Sequence, residues 1–463
     1  MKRFYLYILF PALLALSCNK YVDTPVPQNE LISAKVFESD KTATAAVAGI
    51  YTEMNSLNYY FSNVLMNYLT AMSADELYYA SAFASFDVFK NNALLPSSQY
   101  VNTMWTQAYY YIYNANACIE GLTAATKLTE SVRKQLLGEA YFVRGFLHFH
   151  LVNLYGHVPL ITNTNYLENT NRGQDHPDSV YNQVIRDLQQ AKALMGDDYP
   201  TAARTRPNKA VASAMLARAY LYTRQWAAAE KEAGEVIANT RYQLLTDLNT
   251  VFLLNSKEAL WQLQPVNVAG GRNTWEGFTA LPTTATALPL YRLDSMLVRS
   301  FETGDARLAN WAGTRTTSAG VVVYFPYKYK VRTNAAAGVS EYSMVLRFAE
   351  QYLVRAEARV QLNKLSDARA DLDTLRHRAL LPSLPAGLDQ PALLRAVEQE
   401  RRVELFTEWG HRWFDLKRTQ RADAVIRPRK GTTFWQATDT LYPIPADAIR
   451  TNVNLDQNDG YRQ

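Results

Sequence analysis

Apolar residues recur at helical spacing through most of the chain, which predicts a succession of amphipathic helices joined by short turns. Ser39 and Asp40 precede an Ala-rich helix over residues 41–54. Trp105, Ala108, Tyr109, Ile112, Ala115, Ala117 and Ile119 form the apolar stripe of a helix over 100–122. Leu136, Ala140, Val143, Leu147, Leu151 and Leu154 form that of its partner over 136–155, which the turn Gly156-His157-Val158-Pro159-Leu160 ends. Pro177 followed by Asp178 or Ser179 as cap opens a helix over 178–195. Residues 209–222 and 227–238 then form an Ala-rich pair around Gln225-Trp226, and 346–375 repeats that shape around Leu362-Asn363-Lys364-Leu365. A short string recurs in one helix of each pair: Phe142-Val143-Arg144-Gly145, Leu216-Ala217-Arg218-Ala219 and Leu353-Val354-Arg355-Ala356. Helix, turn, helix with Ala at the crossings is the tetratricopeptide-like unit, and its repetition predicts a mainly α superhelix.

One later stretch, residues 400–418, reads ERRVELFTEWGHRWFDLKR. Val403, Phe406, Trp409, Trp413 and Leu416 keep helical spacing, so the stretch reads as a core helix in which Gly410 marks a kink or a close approach. Glu404, Glu408 and Asp415 resemble an acid set for hydrolysis, but Glu408 lies four residues before Arg412, the spacing of an ordinary helix salt bridge.

The helical pattern fails in two places. Residues 59–89 crowd together Tyr59, Tyr60, Phe61, Tyr68, Tyr78, Tyr79, Phe83, Phe86 and Phe89; Asp75-Glu76 interrupts them, and 77–98 reads as a loop. Residues 244–340 carry Gly270-Gly271, Gly304, Gly313, Gly320 and clusters of Ser and Thr, a loop-rich region set into the helical frame. Within it, 321–331 alternates as a strand, with Pro326 placing it at an edge.

Composition narrows the function. The formal charge is +5 with no basic block, which argues against nucleic acid as a partner. Aromatics are abundant, 30 Tyr, 18 Phe and 8 Trp, and Tyr in excess suits surfaces that bind through apolar faces and polar tips. Cys18 and Cys118 are too few for a disulfide framework or a Cys-rich metal site. His148 and His150 point about 200° apart on a helix, so with His157 they read as packing or hydrogen-bonding residues rather than metal ligands. No nucleophile elbow, phosphate loop or dinucleotide fingerprint is present, and no cofactor is implied. At the N-terminus Lys2 and Arg3 precede thirteen apolar residues and then Ser17-Cys18, the order of a signal peptide (1–17) that ends at an acylated cysteine. Pro25 and Pro27 make 18–38 an extended tether.

Several of these segments carry a resemblance. The run Glu400-Arg401-Arg402, Glu404-Leu405, then Gly410, Arg412-Trp413 and Asp415-Leu416-Lys417-Arg418 resembles the C-terminal signature of the SusD/RagB family of outer-membrane nutrient-binding lipoproteins of the Bacteroidetes. Gly138-Glu139-Ala140-Tyr141-Phe142 through to Leu160 is similar to its second signature, and Tyr442-Pro443-Ile444-Pro445 with 452–461 to its closing segment. Asp305-x-Arg307 matches a short family element, while the middle region diverges.

The resemblance implies a single domain over 39–463. Its helical-pair scaffold would occupy about 39–240 and 346–420, with a loop-rich, partly β binding region at about 244–340. It implies a lipid anchor at Cys18, an outer-membrane location facing the cell surface, and a SusC-like TonB-dependent transporter as partner. It also implies a nutrient ligand, an oligosaccharide or polysaccharide first and a peptide as the alternative. A helical glycoside hydrolase or lyase, or a peptide-binding adaptor, are the rival readings. Aromatics in loop-like sequence are the candidate ligand contacts: Tyr78, Tyr79, Phe83 and Phe86, with Trp275 and Trp311, and Arg272 and Asn273 to bond hydroxyls or a carboxylate.

Overall fold

The computed structural model describes residues 35–461 apart from Asn267, Ala335 and Ala337. The predicted signal peptide, Cys18 and most of the tether lie outside the described residues. Helix α1 (Asp40–Met54) begins where Ser39 accepts the Thr42 N–H at 3.3 Å. After the entirely buried π-helical segment Phe61–Leu69 come β1 (Leu77–Tyr79), α2 (Ala84–Lys90), α3 (Gln99–Ala124), α4 (Glu130–Tyr155) and α5 (Pro177–Leu194). The cap of α5 is His176 rather than Asp178 or Ser179: its ring nitrogen accepts the Asp178 N–H, and Pro177 takes the first helical position, where its missing donor costs nothing. Next come α6 (Lys209–Tyr222), α7 (Trp226–Ile237), β2 (Ala259–Leu263), α8 (Trp275–Ala280) and β3 (Tyr291–Leu293). The chain continues through β4 (Ala312–Thr316), β5 (Val322–Pro326), β6 (Ser343–Arg347), α9 (Phe348–Gln361), α10 (Leu365–Arg378), α11 (Gln390–Leu405), α12 (His411–Arg418) and α13 (Ala422–Phe434).

The long helices pack in series: α3 on α4, α4 on α5, α5 on α6, α6 on α7, α7 on α9 and α9 on α10. The recurrent arginine explains part of this stacking. Arg144 on α4 pairs with Asp187 on α5, Arg218 on α6 with Glu350 on α9, and Arg355 on α9 with Asp371 on α10, each at 2.6 Å. One position in the repeat therefore supplies a guanidinium that ties its helix to a neighbour through two parallel bonds.

Among the described residues the strands form three two-stranded antiparallel ribbons, β1 with β3, β2 with β6 and β4 with β5, so the inserted region is partly β. The predicted 321–331 strand is shorter than its sequence pattern suggests. It stops at Pro326, and Tyr327 onward turns inward to deliver Lys328 to the core. The segment 77–98 is not a loop throughout, since it folds as β1 and α2.

The 400–418 segment is broken rather than continuous. Helix α11 ends at Leu405, and Thr407, Trp409 and Gly410 adopt φ of 54°, 42° and 69° before α12 begins. The positive φ favours glycine at 410, and a Cβ there would also crowd Thr70 Oγ1 at 3.2 Å. Glu408 does not pair with Arg412, because the break turns the two side chains apart. Glu408 instead accepts from Lys328 (2.6 Å) and Arg347 (3.0 Å), while Arg412 binds Asp75 at 2.8 Å. Glu404 accepts from Arg307, Arg347 and Arg378, and Glu400 from Arg307 and Arg376. The Asp305-x-Arg307 element belongs to this buried lattice, with Asp305 gripping Arg307 at 2.8 Å. Buried ions of this kind hold only as a set, since removing one partner strands a charge at a cost of about 3–5 kcal/mol.

At the C-terminus, Asn458 donates to Tyr155 O (2.8 Å) and Tyr442 O (2.7 Å), and Asn452 and Asn454 donate to the carbonyls of Arg172 and Asn171. The asparagine-rich end thus pins the last residues to the turns that follow α4.

Candidate functional site

The acidic pair Asp75-Glu76 lies at the root of β1 and is buried. Asp75 binds Arg402 and Arg412, and Glu76 accepts the Thr407 N–H at 3.1 Å, so both fasten β1 to the α11–α12 break. Burial pushes the Glu76 carboxyl up to about 8, and its second oxygen has no partner among the described residues. From this root β1 runs antiparallel to β3, with Tyr78 opposite Arg292 and Tyr79 opposite Tyr291.

Successive strand residues face opposite sides, and this separates the two tyrosines. Tyr79 turns into an aromatic cluster, with ring centroids 5.1 Å from Tyr291, 5.0 Å from Phe86 and 6.1 Å from Phe83. Phe86 also stacks on Tyr100, and the Tyr59 and Tyr291 hydroxyls meet at 3.0 Å. Tyr78 faces the other way, towards Lys90, into a cavity of about 470 Å³ walled in part by Asp294, Arg429 and Phe434.

The second predicted group reaches the same region through the turn at residues 55–60. Trp275, half-buried at the start of α8, donates its indole N–H to Asn55 O at 3.2 Å, and Asn58 bonds Thr279 at 3.1 Å. The Arg272 guanidinium lies 3.5 Å above the Trp275 ring and also binds carbonyl oxygens, which fixes the indole's orientation. The turn therefore has Trp275 on one side and the Tyr79–Phe83 cluster on the other. The outer edge of this patch is exposed: Phe83 to 44%, Leu57 to 50% and Leu290 to 47%, with Tyr59, Tyr60, Tyr79 and Tyr100 partly open beside them.

Four predicted contacts are interior. Trp311 is fully buried, its indole bonded to Leu248 O at 3.0 Å and its ring beside Lys328, Arg347 and Arg378, so it packs the charge lattice instead of meeting solvent. Asn273 is buried and uses its side-chain oxygen to accept from the Ser340 and Glu341 N–H groups, fastening that strand entry. Phe86 is buried as the centre of the aromatic cluster. Arg272 is buried as well and packs its guanidinium on the Trp275 ring. Sequence reasoning missed Tyr100 and Tyr291 as site-forming rings. Tyr291 arrives from a segment 232 positions beyond Tyr59, and no local periodicity foretells that pairing.

The carboxylates that resembled an acid set are unsuited to proton transfer. Burial alone would raise Glu404, but Arg378, Arg347 and Arg307 hold it well below the usual carboxylate range. Glu408 and Asp415 are likewise held low, against the effect of burial, by Arg347 with Lys328 and by Arg401 with Arg418. Among the described residues no group of three His, Cys, Asp or Glu is placed to hold a metal ion. His148 and His150 are buried, bond Arg144 O and Phe146 O through Nδ1, and are pushed down to about 3 mainly by burial. His148 Nε2 accepts the Ile161 N–H, so both ring nitrogens are used in packing. Cys118 is buried, with its thiol pushed up to about 12.

Comparison with known proteins agrees with this architecture. A family model described as "Starch-binding associating with outer membrane" matches residues 20–221, and one described as "SusD family" matches 302–461. The chain is 25% identical to a SusD-like protein, P2, of Formosa agariphila, over the full length of both. A SusD superfamily protein of Bacteroides vulgatus superposes with a TM-score of 0.80 at 18% identity, covering 92% of this chain and 99% of that one. A laminarin-binding SusD-like protein superposes with a TM-score of 0.75 at 24% identity, covering 91% and 99%.

Proposed function

The chain belongs to the SusD/RagB family, and from that premise we propose that it captures a glycan at the outer membrane and delivers it to a SusC-like TonB-dependent transporter. The observation that carries the reading is the half-open aromatic patch around the 55–60 turn, formed by Tyr79 and Phe83 with Tyr59 and Tyr100 on one side and Trp275 on the other. Aromatic faces cover the apolar C–H faces of sugar rings at about 25 cal/mol per Å² buried, and rigid rings lose little rotamer entropy. The Asn58 and Thr279 side chains and the Tyr59 hydroxyl lie among the rings as polar groups that can orient a sugar. Tyr78 and Lys90 extend the surface around the other face of β1. The likeness to a laminarin-binding protein favours a glycan over a peptide.

The acid set that resembled a hydrolase's supports capture over turnover. Glu404, Glu408 and Asp415 are buried and held ionised by arginines and a lysine, so none has a proton to give to a glycosidic oxygen. The rigid stacked helices offer a partner protein a broad surface, as a stable complex burying at least ~1,200 Å² needs. Lipid attachment rests on the leader that ends at Cys18, and Cys18→Ala should abolish labelling by a clickable fatty acid.

The test is calorimetric titration of the purified protein with a panel of soluble polysaccharides, laminarin first, with product analysis of the same mixtures. Saturable binding without chain cleavage is expected. Release of shorter sugars would establish a hydrolase or lyase, and binding of peptides with no glycan bound would move the ligand class.

A further inference from the structure

Away from the aromatic patch, a cavity of about 630 Å³ opens between α6, α7, α9, α11 and α12. Six arginines line it, Arg224, Arg395, Arg401, Arg412, Arg418 and Arg421, against three carboxylates, Glu357, Glu398 and Asp415. Each carboxylate is already engaged. Glu357 accepts two bonds from Arg418, Asp415 is divided between Arg401 (2.6 Å) and Arg418 (2.8 Å), and Glu398 lies between Arg412 (3.1 Å) and Arg421 (3.4 Å).

What remains is a set of donors with nothing to bind. Arg401 is 97% buried and gives Nε to Asp415; its two terminal nitrogens have no partner among the described residues. The Tyr222 hydroxyl in the same wall is also closed off from bulk water and unpartnered. A buried guanidinium whose terminal donors meet no protein acceptor is a place where an added acceptor group is stabilising. At the mouth, Arg224 and Arg395 are exposed and form no ion pair among the described residues. Trp226 and Leu394 supply an apolar wall.

The geometry points to a binding site for an oxyanion, a carboxylate, sulfate or phosphate that is free or carried on a small organic molecule, drawn into the cavity by its arginines and held, as the side chains covering them move aside, by the Arg401 terminal nitrogens with the Tyr222 hydroxyl donating. A planar guanidinium fork matches two oxygens of such a group, and the excess of arginine draws the ligand in. The volume leaves room for a ligand larger than the bare ion, with its apolar part against Trp226.

The test titrates the full mature chain with sodium sulfate, inorganic phosphate and sodium glucuronate, each at constant ionic strength against chloride, by calorimetry and by Tm. At least one of these should bind saturably with 1:1 stoichiometry. Saturation by sulfate or phosphate identifies a free-ion site, and saturation by glucuronate alone identifies a carried carboxylate. Tyr222→Phe, which removes one oxygen and keeps the ring, should weaken that binding at least threefold, as should Arg395→Gln at the exposed mouth. Phe83→Ala should leave it unchanged, which separates this site from the glycan patch. A Tm that rises linearly with salt, without saturation and equally in the wild type and in Tyr222→Phe, is the general effect of excluded ions and would overturn the proposal.

Discussion

Glu76 shows how one side chain acquires a structural role that its neighbours decide. Its carboxyl is raised to about 8 by burial, so the folded chain keeps it protonated where the unfolded chain, near 4.5, has released the proton. The folded state therefore binds more protons between those values, and this contribution to stability is complete below about 4.5 and lost as pH rises towards 8. Glu76→Gln keeps an acceptor for the Thr407 N–H but cannot titrate. The variant should gain stability relative to the wild type as pH rises from 5 to 8, by up to roughly 1.4 kcal/mol per pH unit, measured by denaturant unfolding at each pH. All other titrating groups are shared, so parallel curves would place the Glu76 carboxyl outside this account. Among site residues, exposure divides the rings the sequence had grouped. Phe83 meets solvent while Trp311 supports the charge lattice, and both stand in short segments whose sequence has no period to tell them apart.

At the scale of elements, the helical pairs were legible because a 3.6-residue repeat of apolar positions survives in sequence, and the arginine that recurs in one helix of each marked the repeat. Its partners were not legible. Asp187, Glu350 and Asp371 lie 43, 132 and 16 positions away and share no motif. The break at 406–410 was hidden for a related reason: Phe406, Trp409 and Trp413 keep helical spacing straight through it. Tertiary bonds impose the positive φ values, with the Trp409 N–H held by Asn67 Oδ1 at 2.7 Å and the Thr407 N–H by Glu76. The Arg218–Glu350 pair tests how far such links specify helix stacking. Arg218→Met leaves Glu350 buried without its cation and should cost about 3–5 kcal/mol. Adding Glu350→Leu should recover most of that loss, because a well-packed apolar pair often equals a buried ion pair. A double variant as unstable as the single one would mean that the charge pair itself is indispensable to the stack.

For the whole molecule, the superhelix holds together surface segments far apart in sequence. The 55–60 turn, β1–α2 and α8 meet only because α1, the buried 61–69 segment and the inserted region pack against one another. That assembly brings Tyr79, Phe83 and Trp275 around one turn, and the central claim is that this patch binds glycan. The most direct test compares wild type, Tyr79→Ala/Phe83→Ala and Trp311→Ala by titration with the polysaccharide that the panel identifies, with Tm measured on each. Loss of the two patch rings should weaken binding at least tenfold, on the order of 1.4 kcal/mol or more, with affinity falling further than Tm. Trp311→Ala should lower stability by about 3–5 kcal/mol and leave the affinity of the folded fraction within twofold. A double variant that binds the polysaccharide as tightly as the wild type would contradict the account.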